Sequence, residues 1–466
     1  MKILYIGGGF VGACSAAVSA DSGHEVLVFD VDKEKVEKLS SDNRELILSC
    51  LHEDGLAELL IRNRSRIKFT TEIGFVENFL SGVEAIFMCL PTPAKEDGES
   101  NLSFYEAAVE MIGPLLSQRN EGKQTNRVVI VNKSTVPIRM IDYTEELFSK
   151  KGVKNFSIAS NPEFLVEGKA IVGSLHPDRV VVGAKTEDDF AIMRRVYQRF
   201  VDSSTIKYIE VNPYEAASGK LLANYFLFNK IVTTFDVIGR TCEQFLNLRY
   251  EEIKKILAAD PRIGEWGLYD SLFAGGSCFI KDAGSLAHQL ETAGSRAVLV
   301  RGVLDANVFQ LDNFFGRAMT EAGFSWADKV VAVLGVAFKQ GTNDIRNSGG
   351  IGIISRLLEA GVRQIKVYDP AAMDECKKYF DRDAVTGKIV YAKNEKLAVD
   401  GTTAVIICTD WPQFKVLADV IQSTVKPPYL IMDGRRIIHG EYEKLQAAGY
   451  DIVAVGSMFM KGKKAA

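Results

Sequence analysis

Three groups of residues in this 466-residue chain have the types and spacing to do chemistry. The first is Gly7-x-Gly9-x-x-Gly12, which follows the apolar run Ile3–Ile6 and opens a helix-like segment through Phe10 and Val11. At a strand–turn–helix junction, Gly7 permits the tight turn and Gly9 lets backbone approach a pyrophosphate. Gly12 lets the helix pack close to the strand, and the helix N-terminus offers N–H groups and positive dipole to phosphates. The next apolar run ends at Asp30, 18 residues after Gly12. A carboxylate there accepts hydrogen bonds from an adenosine ribose diol and repels a 2′-phosphate, so the expected cofactor is NAD, not NADP. The plain alternative is a glycine turn in a domain of the same build that binds no dinucleotide. Cys14, in the same helix, reads as a packing residue.

The second group is Lys220 and Asn224, four apart and therefore on one helical face. A lysine and an amide so placed can polarise an oxygen on which charge builds. The third is FAGGSCFIKD, with Cys278 after Gly275 and Gly276, and Lys281 and Asp282 close behind. If a helix begins there, Cys278 sits near its N-terminus and shares a face with Asp282. A helix N-terminus and a nearby lysine both lower a thiol pKa and favour the nucleophilic thiolate. Each residue also has an ordinary reading. A single cysteine is more often buried and inert, a helical lysine solvated, an asparagine a surface amide. Residue types alone leave both readings open.

The elements that must position these groups follow from periodicity. Strand candidates are Ile3–Ile6, Val26–Phe29, Ala85–Cys89, Val128–Val131, Phe156–Ala159 and Val180–Val182, with helical stretches such as Leu102–Leu116 and Asp188–Phe200 between. Such alternation predicts a doubly wound, mainly parallel sheet. From Asn212 to about Phe245 no strand signal occurs, and Leu221, Leu222, Tyr225, Phe228, Ile231, Val232 and Phe235 recur at helical spacing. Gly219 and Gly239 weaken that helix by roughly 1 kcal/mol each. From Lys329 the alternation resumes with VVAVLG, IKVYDP, TTAVIIC and YLIMDG. The second half repeats the plan of the first, a strand, glycine turn and helix followed by a strand ending in Asp. The expectation is α/β: two Rossmann-like doubly wound domains, 1–210 and 326–466, joined by a helical middle domain, 211–325, with one long helix. The closing KGKKAA is expected to fray.

Composition narrows the function classes. Lys plus Arg is 56 against 60 Asp plus Glu, so nothing suggests a polyanion-binding surface or nucleic acid. No run of 18 apolar residues occurs, so a membrane-spanning helix is expected to be excluded. The apolar start is too short for a secretory signal, so a cytoplasmic protein is expected. Seven cysteines without CxxC spacing, and five scattered histidines without HExxH, give no disulfide framework and no metal site.

The chain resembles the UDP-glucose/GDP-mannose dehydrogenase family over nearly its whole length. The motifs run in the family's order. They are IGGGFVG, PTP at Pro91–Pro93, KSTVP at Lys133–Pro137, SNPEFLVEG at Ser160–Gly168 and HPDRVVVG at His176–Gly183. KLLAN at Lys220–Asn224, PRIG at Pro261–Gly264, GGSCFIKD at Gly275–Asp282, LGVAFKQGTNDIRNS at Leu334–Ser348 and DGRR at Asp433–Arg436 follow. The resemblance implies that Cys278 is the nucleophile and that Lys220, Asn224 and Asp282 form the acid–base and oxyanion group. It implies that Thr135 and Glu163 position a hydrolytic water. Lys35, Thr92, Thr135, Glu167, Lys281 and Arg346 would join Gly7, Gly9, Phe10, Val11, Gly12 and Asp30 in holding NAD. Glu163, Phe164, Leu165, Lys220, Asn224, Tyr269, Gly275, Phe338, Lys339 and Arg435 would hold the sugar nucleotide. Arg262 would reach the substrate of a neighbouring subunit, implying at least a homodimer.

The implied reaction is oxidation of a sugar C6 hydroxymethyl to the uronate, with UDP-glucose favoured and GDP-mannose the nearest competitor. The chain departs from the family at Ala217, where Glu is common, and at Tyr269, Asp270 and Ala274 in the loop before Cys278, which leaves the exact sugar nucleotide open. A two-electron hydroxy-acid dehydrogenase would share the glycine turn and the Lys-x-x-x-Asn helix but would leave GGSCF-x-KD unexplained. A non-catalytic binding homologue would not need Cys278, Lys220, Asn224 and Asp282 together.

Overall fold

The computed structural model describes residues 1–121 and 127–463. The chain divides into two compact units, Met1–Ala223 with Gly284–Ser295, and Asn224–Ala283 with Arg296–Ala466.

Among the described residues, the first unit holds eight strands: β1 (Lys2–Ile6), β2 (Glu25–Phe29), β3 (Ile67–Thr70), β4 (Val83–Met88), β5 (Val128–Asn132), β6 (Phe156–Ser160), β7 (Arg179–Gly183) and β8 (Lys207–Val211). Their order is β3-β2-β1-β4-β5-β6-β7-β8, parallel except where Ser160 meets Gly183. The central strands are buried on both faces, which is why they read as unbroken apolar runs. Alternate residues of β1 feed two separate cores. Ile3 and Tyr5 join Val28 and Phe87 on one side, and Leu4 and Ile6 join Phe29 and Met88 on the other. Tyr5 and Phe87 stack at 4.8 Å.

The second unit holds β9 (Val330–Leu334), β10 (Gln364–Tyr368), β11 (Ile389–Tyr391), β12 (Ala404–Ile407), β13 (Leu430–Asp433) and β14 (Asp451–Ala454). The order β11-β10-β9-β12-β13-β14 is all parallel and repeats the six-strand doubly wound pattern. Asp369, at the end of β10, is the counterpart of Asp30. Its carboxylate accepts from the backbone N–H groups of Val336, Ala337, Ala371 and Ala372 at 2.7–3.0 Å, and from Trp411 Nε1 at 3.0 Å.

The expected long helix is present as Pro213–Thr233, continued by a π turn over Thr234–Gly239 and a last stretch, Arg240–Gln244. Gly219 and Gly239 do not break it. The 32-residue run is long and apolar enough to span a bilayer by length and composition, which corrects the argument from uninterrupted apolar runs. Buried Lys220 and Asn224 lie within it, with polar partners described below, as suits a helix packed in protein. The tail is also firmer than expected: the Lys463 N–H bonds Gln446 O at 2.9 Å and the Gly462 N–H bonds Asp451 Oδ1 at 2.8 Å. Residues 464–466 lie outside the described residues.

Candidate active site

The glycine turn has the geometry its residues predict. Gly7 has φ 101°, and a Cβ there would stand 2.2 Å from Cys89 O. A Cβ on Gly12 would stand 1.9 Å from Gly7 O, so the helix Phe10–Asp21 can approach only because that atom is missing. Nothing lies within 4 Å of a Cβ built on Gly9, and no side chain caps the helix, so its leading N–H groups remain available to an anion. Half-buried Phe10 and Val11 form the first turn. Asp30 is 7% exposed; it accepts from Gly8 N–H at 2.6 Å and Asp32 N–H at 2.9 Å, and pairs with Lys35 Nζ at 3.1 Å. Lys35 is partly exposed, so its ammonium can swing aside and free the outer lone pairs for a ribose diol. The open turn and the carboxylate fit NAD.

The same unit gathers the residues around Glu163. Thr92 Oγ1 donates to Thr135 O at 2.8 Å, joining the loops after β4 and β5. Glu163 Oε1 pairs with Lys220 Nζ at 3.3 Å, both side chains being nine-tenths buried, and Glu163 Oε2 accepts from Leu165 N–H. The Phe164 ring lies between two cations, with Lys220 Nζ at 5.1 Å and the Arg179 guanidinium at 3.7 Å from its centroid. Glu167 is half-buried in the following turn. That turn is anchored by a residue the motifs did not single out: buried Glu53 accepts from Gly168 N–H at 2.5 Å and Ala170 N–H at 2.9 Å.

Also missed was the buried group Lys133, Asn161 and Tyr197. Lys133 Nζ donates to Asn161 Oδ1 at 2.9 Å and contacts Tyr197 Oη at 3.4 Å. Burial lowers the Lys133 pKa to about 8, against the support of Cys89 and Glu163.

In the second unit, Cys278 is exposed directly before the helix Phe279–Thr292, so a helix does begin where its spacing predicted. The Asp282 N–H bonds Cys278 O at 2.8 Å, closing the first turn. Asp282 is fully buried; it accepts from Asn224 Nδ2 at 2.5 Å and pairs with Lys281. Asn224 is one turn from Lys220 on its own helix, so each holds a carboxylate, Lys220 that of Glu163 and Asn224 that of Asp282.

The loop before Cys278 requires its two glycines. A Cβ on Gly275 would stand 2.2 Å from Asn347 O, and one on Gly276 (φ 94°) would stand 3.0 Å from the Phe338 ring. Phe338 and Lys339 are half-buried beside one another. Arg435 Nη2 pairs with Asp410 at 2.7 Å and Nη1 donates to Ser271 Oγ at 3.0 Å. Its neighbour Arg436, which the motif left without a role, is buried at φ 52° on Glu251, Val455 O and Ser457 Oγ. Arg262 is 88% exposed on Asp260 and Tyr269 lies exposed against Trp266, whereas Arg346 pairs with Asp344 and its carbonyl accepts from Gly276 N–H at 3.1 Å, beside the loop before Cys278. Asp270, one of the departures, pairs with Lys254 at 2.5 Å. Among the described residues no group of three or more His, Cys, Asp or Glu could hold a metal.

A dinucleotide turn and a buried Lys–Glu pair in the first unit, and in the second a thiol at a helix start with a buried Asp–Asn pair, are features that suit an NAD-dependent dehydrogenase. Three models of the UDP-glucose/GDP-mannose dehydrogenase family match: the NAD binding domain over residues 1–201, the central domain over 214–308 and the UDP binding domain over 332–440. The chain belongs to this family and is an NAD-dependent nucleotide-sugar 6-dehydrogenase. It is 32% identical to the UDP-glucose 6-dehydrogenase TuaD of Bacillus subtilis, over 99% of this chain and 94% of that one. It is 31% identical to the UDP-glucose 6-dehydrogenase AglM of Haloferax volcanii, over 94% and 97%. The structure of a UDP-glucose dehydrogenase from Pyrobaculum islandicum is similar at TM-score 0.81 and 29% identity, covering 94% of each chain.

Proposed function

We propose that the chain oxidises the C6 hydroxymethyl of UDP-glucose to the carboxylate of UDP-glucuronate, in two hydride steps and one hydrolysis. The observation that carries this reading is Cys278, exposed at a helix start one turn ahead of buried Asp282. The identity of the sugar nucleotide rests on the names of the curated relatives. GDP-mannose is the competing substrate.

When bound at Gly7, Gly9, Gly12 and Asp30, with Lys35, Thr92, Glu167, Lys281 and Arg346 around it, NAD accepts the hydride at each oxidation. Lys220 and Asn224 hold the C6 oxygen while its proton leaves, and stabilise negative charge on it. The Cys278 thiolate then adds to the aldehyde carbon, giving a thiohemiacetal whose oxygen the same two residues hold. This step explains the cysteine: an aldehyde carries no carbon from which a second hydride leaves readily until a nucleophile has made it an alkoxide again. The second oxidation gives a thioester, and a water held by Thr135 and Glu163 cleaves it. Phe164, Leu165, Phe338, Lys339 and Arg435 hold the nucleotide and the sugar. Two NADH per sugar nucleotide consumed is the expected stoichiometry with UDP-glucose in a panel that includes GDP-mannose. One NADH with released aldehyde would overturn the four-electron reading.

The proposal includes a functional division at 1–210, 211–325 and 326–466, for NAD, assembly and sugar nucleotide. Phe226, Val237, Val308 and Phe309 of the middle segment are more than half exposed. Such an apolar surface suits association, and we assign it to a homodimer, with Arg262 acting on the neighbouring subunit's substrate. Light scattering should give at least a dimer; a fully active monomer would refute the assignment. A cytoplasmic setting fits Cys14, Cys89, Cys242, Cys376 and Cys408, all buried as thiols.

A further inference from the structure

We infer that Lys133 is a positioning residue for the hydrolytic step, tying the Thr135 turn to the Glu163 turn through Asn161. The inference rests on the thioester reading above and adds to it the group that sets where the water is held.

The connections are all on one unit. Lys133 is 7% exposed and lies two residues before Thr135, in a turn held by the bond from Lys133 N–H to Met88 O at 3.1 Å. Its ammonium reaches Asn161 Oδ1 at 2.9 Å, two residues before Glu163. Asn161 is fixed on its other sides as well: its N–H bonds Asn132 O at 2.9 Å, its Nδ2 bonds Val181 O at 2.8 Å, and Tyr197 Oη donates to its Oδ1. A rotation of Asn161 would carry Pro162 and Glu163 with it and pull Glu163 Oε1 from Lys220 Nζ, now 3.3 Å away. One buried cation therefore links the two turns that carry the water-holding residues, 28 residues apart in the chain.

A charged lysine is a costly choice for a purely structural strut. The titratable and charged groups facing it are Cys89, Glu163 and Tyr197, with Tyr5 and Arg179 on the same small cavity of about 70 Å³. Burial depresses the ammonium to about 8, so folding works against the charge at neutral pH. A folded pKa below the unfolded one means that this cost is fully present below about 8 and fades as pH rises toward 10.5. Replacing the lysine by an apolar side chain should therefore leave the fold intact, and the cavity gives it room.

In hydrolysis, water adds through its oxygen to the thioester carbonyl and gives up one proton to the base. The C–S bond breaks with its electron pair on sulfur, and the product acid releases the second proton as it becomes a carboxylate. Misplacing the water by about 1 Å slows this step by roughly 10²-fold and leaves both hydride transfers intact.

The test is rapid mixing of Lys133→Met with UDP-glucose and NAD, beside the unsubstituted enzyme. The expected result is a burst of two NADH per site, then a steady rate about 10²-fold lower, a sugar adduct in the intact mass, and an unchanged melting temperature. Steady turnover of the unsubstituted enzyme should fall as pH rises through about 8, and this alkaline limb should vanish in the variant. Asn161→Ala should give the same burst, and it decides the matter if Lys133→Met does not fold. Turnover at the normal rate, or slowing with no burst, overturns the role of Lys133 while the stoichiometry stands. One NADH per sugar in the unsubstituted enzyme overturns the thioester reading, and this inference with it.

Discussion

Cys278→Ser should lose steady turnover by about 10³-fold or more, roughly 4 kcal/mol of barrier. A serine hydroxyl at neutral pH is almost wholly protonated, whereas a thiol starts near 8.5 and is lowered further by a helix N-terminus and a neighbouring lysine. Lys220, Asn224 and the dinucleotide turn are untouched, so the substrate should bind and the first hydride should still leave. The later steps should then fail, at capture of the aldehyde or at cleavage of an oxygen ester. Intact-protein mass spectrometry after mixing with UDP-glucose and NAD would show any ester as a sugar adduct. Near-normal turnover would leave Cys278 an exposed thiol with no part in the reaction and remove the mechanism.

Lys220→Met should cost about 10²- to 10⁴-fold in the first turnover itself, with no burst of NADH. This separates it from Cys278→Ser, because in the proposed mechanism the lysine holds the oxygen in both oxidations. A second effect follows from burial. Lys220 and Glu163 are 5% and 9% exposed as side chains, and removing one partner of such a pair leaves an uncompensated charge, worth about 3–5 kcal/mol. Denaturant titration should show that loss, and Glu163→Gln in the same chain should recover much of it without restoring activity. Full single-turnover rates in Lys220→Met would exclude the lysine from the chemistry.

Complete burial makes some strands plain in the sequence. Val128–Asn132 and Val330–Leu334 are buried at every position, so apolar runs mark them. Ile67–Thr70 and Lys207–Val211 were missed because they are sheet edges, one of four residues and the other carrying Lys207 and Glu210. The π turn at Thr234–Gly239 leaves the apolar spacing nearly unchanged and has no signature of its own. Cys278, Asp282 and the Lys220–Asn224 face were readable because local spacing places them. Lys133, Tyr197 and Glu53 were not, since their partners lie 28, 64 and 115 residues away and only the folded sheet unites them.

The carboxylate of Asp369 bears on how a second oxidant would arrive in the proposed reaction. A carboxylate offers about four lone-pair sites, and five N–H groups already converge on this one. No capacity is left for a ribose diol, and the turn after β9 reads Gly335-Val336-Ala337-Phe338, without the second glycine that admits a pyrophosphate. The duplicated plan thus offers a dinucleotide the berth at Asp30 and not one at Asp369, while the proposed four-electron reaction would consume two. On that proposal the berth would empty and refill in mid-reaction, like a turnstile, with the half-oxidised sugar moored to Cys278 meanwhile. Free NADH should compete with NAD at that single berth and stall the chain between its two oxidations.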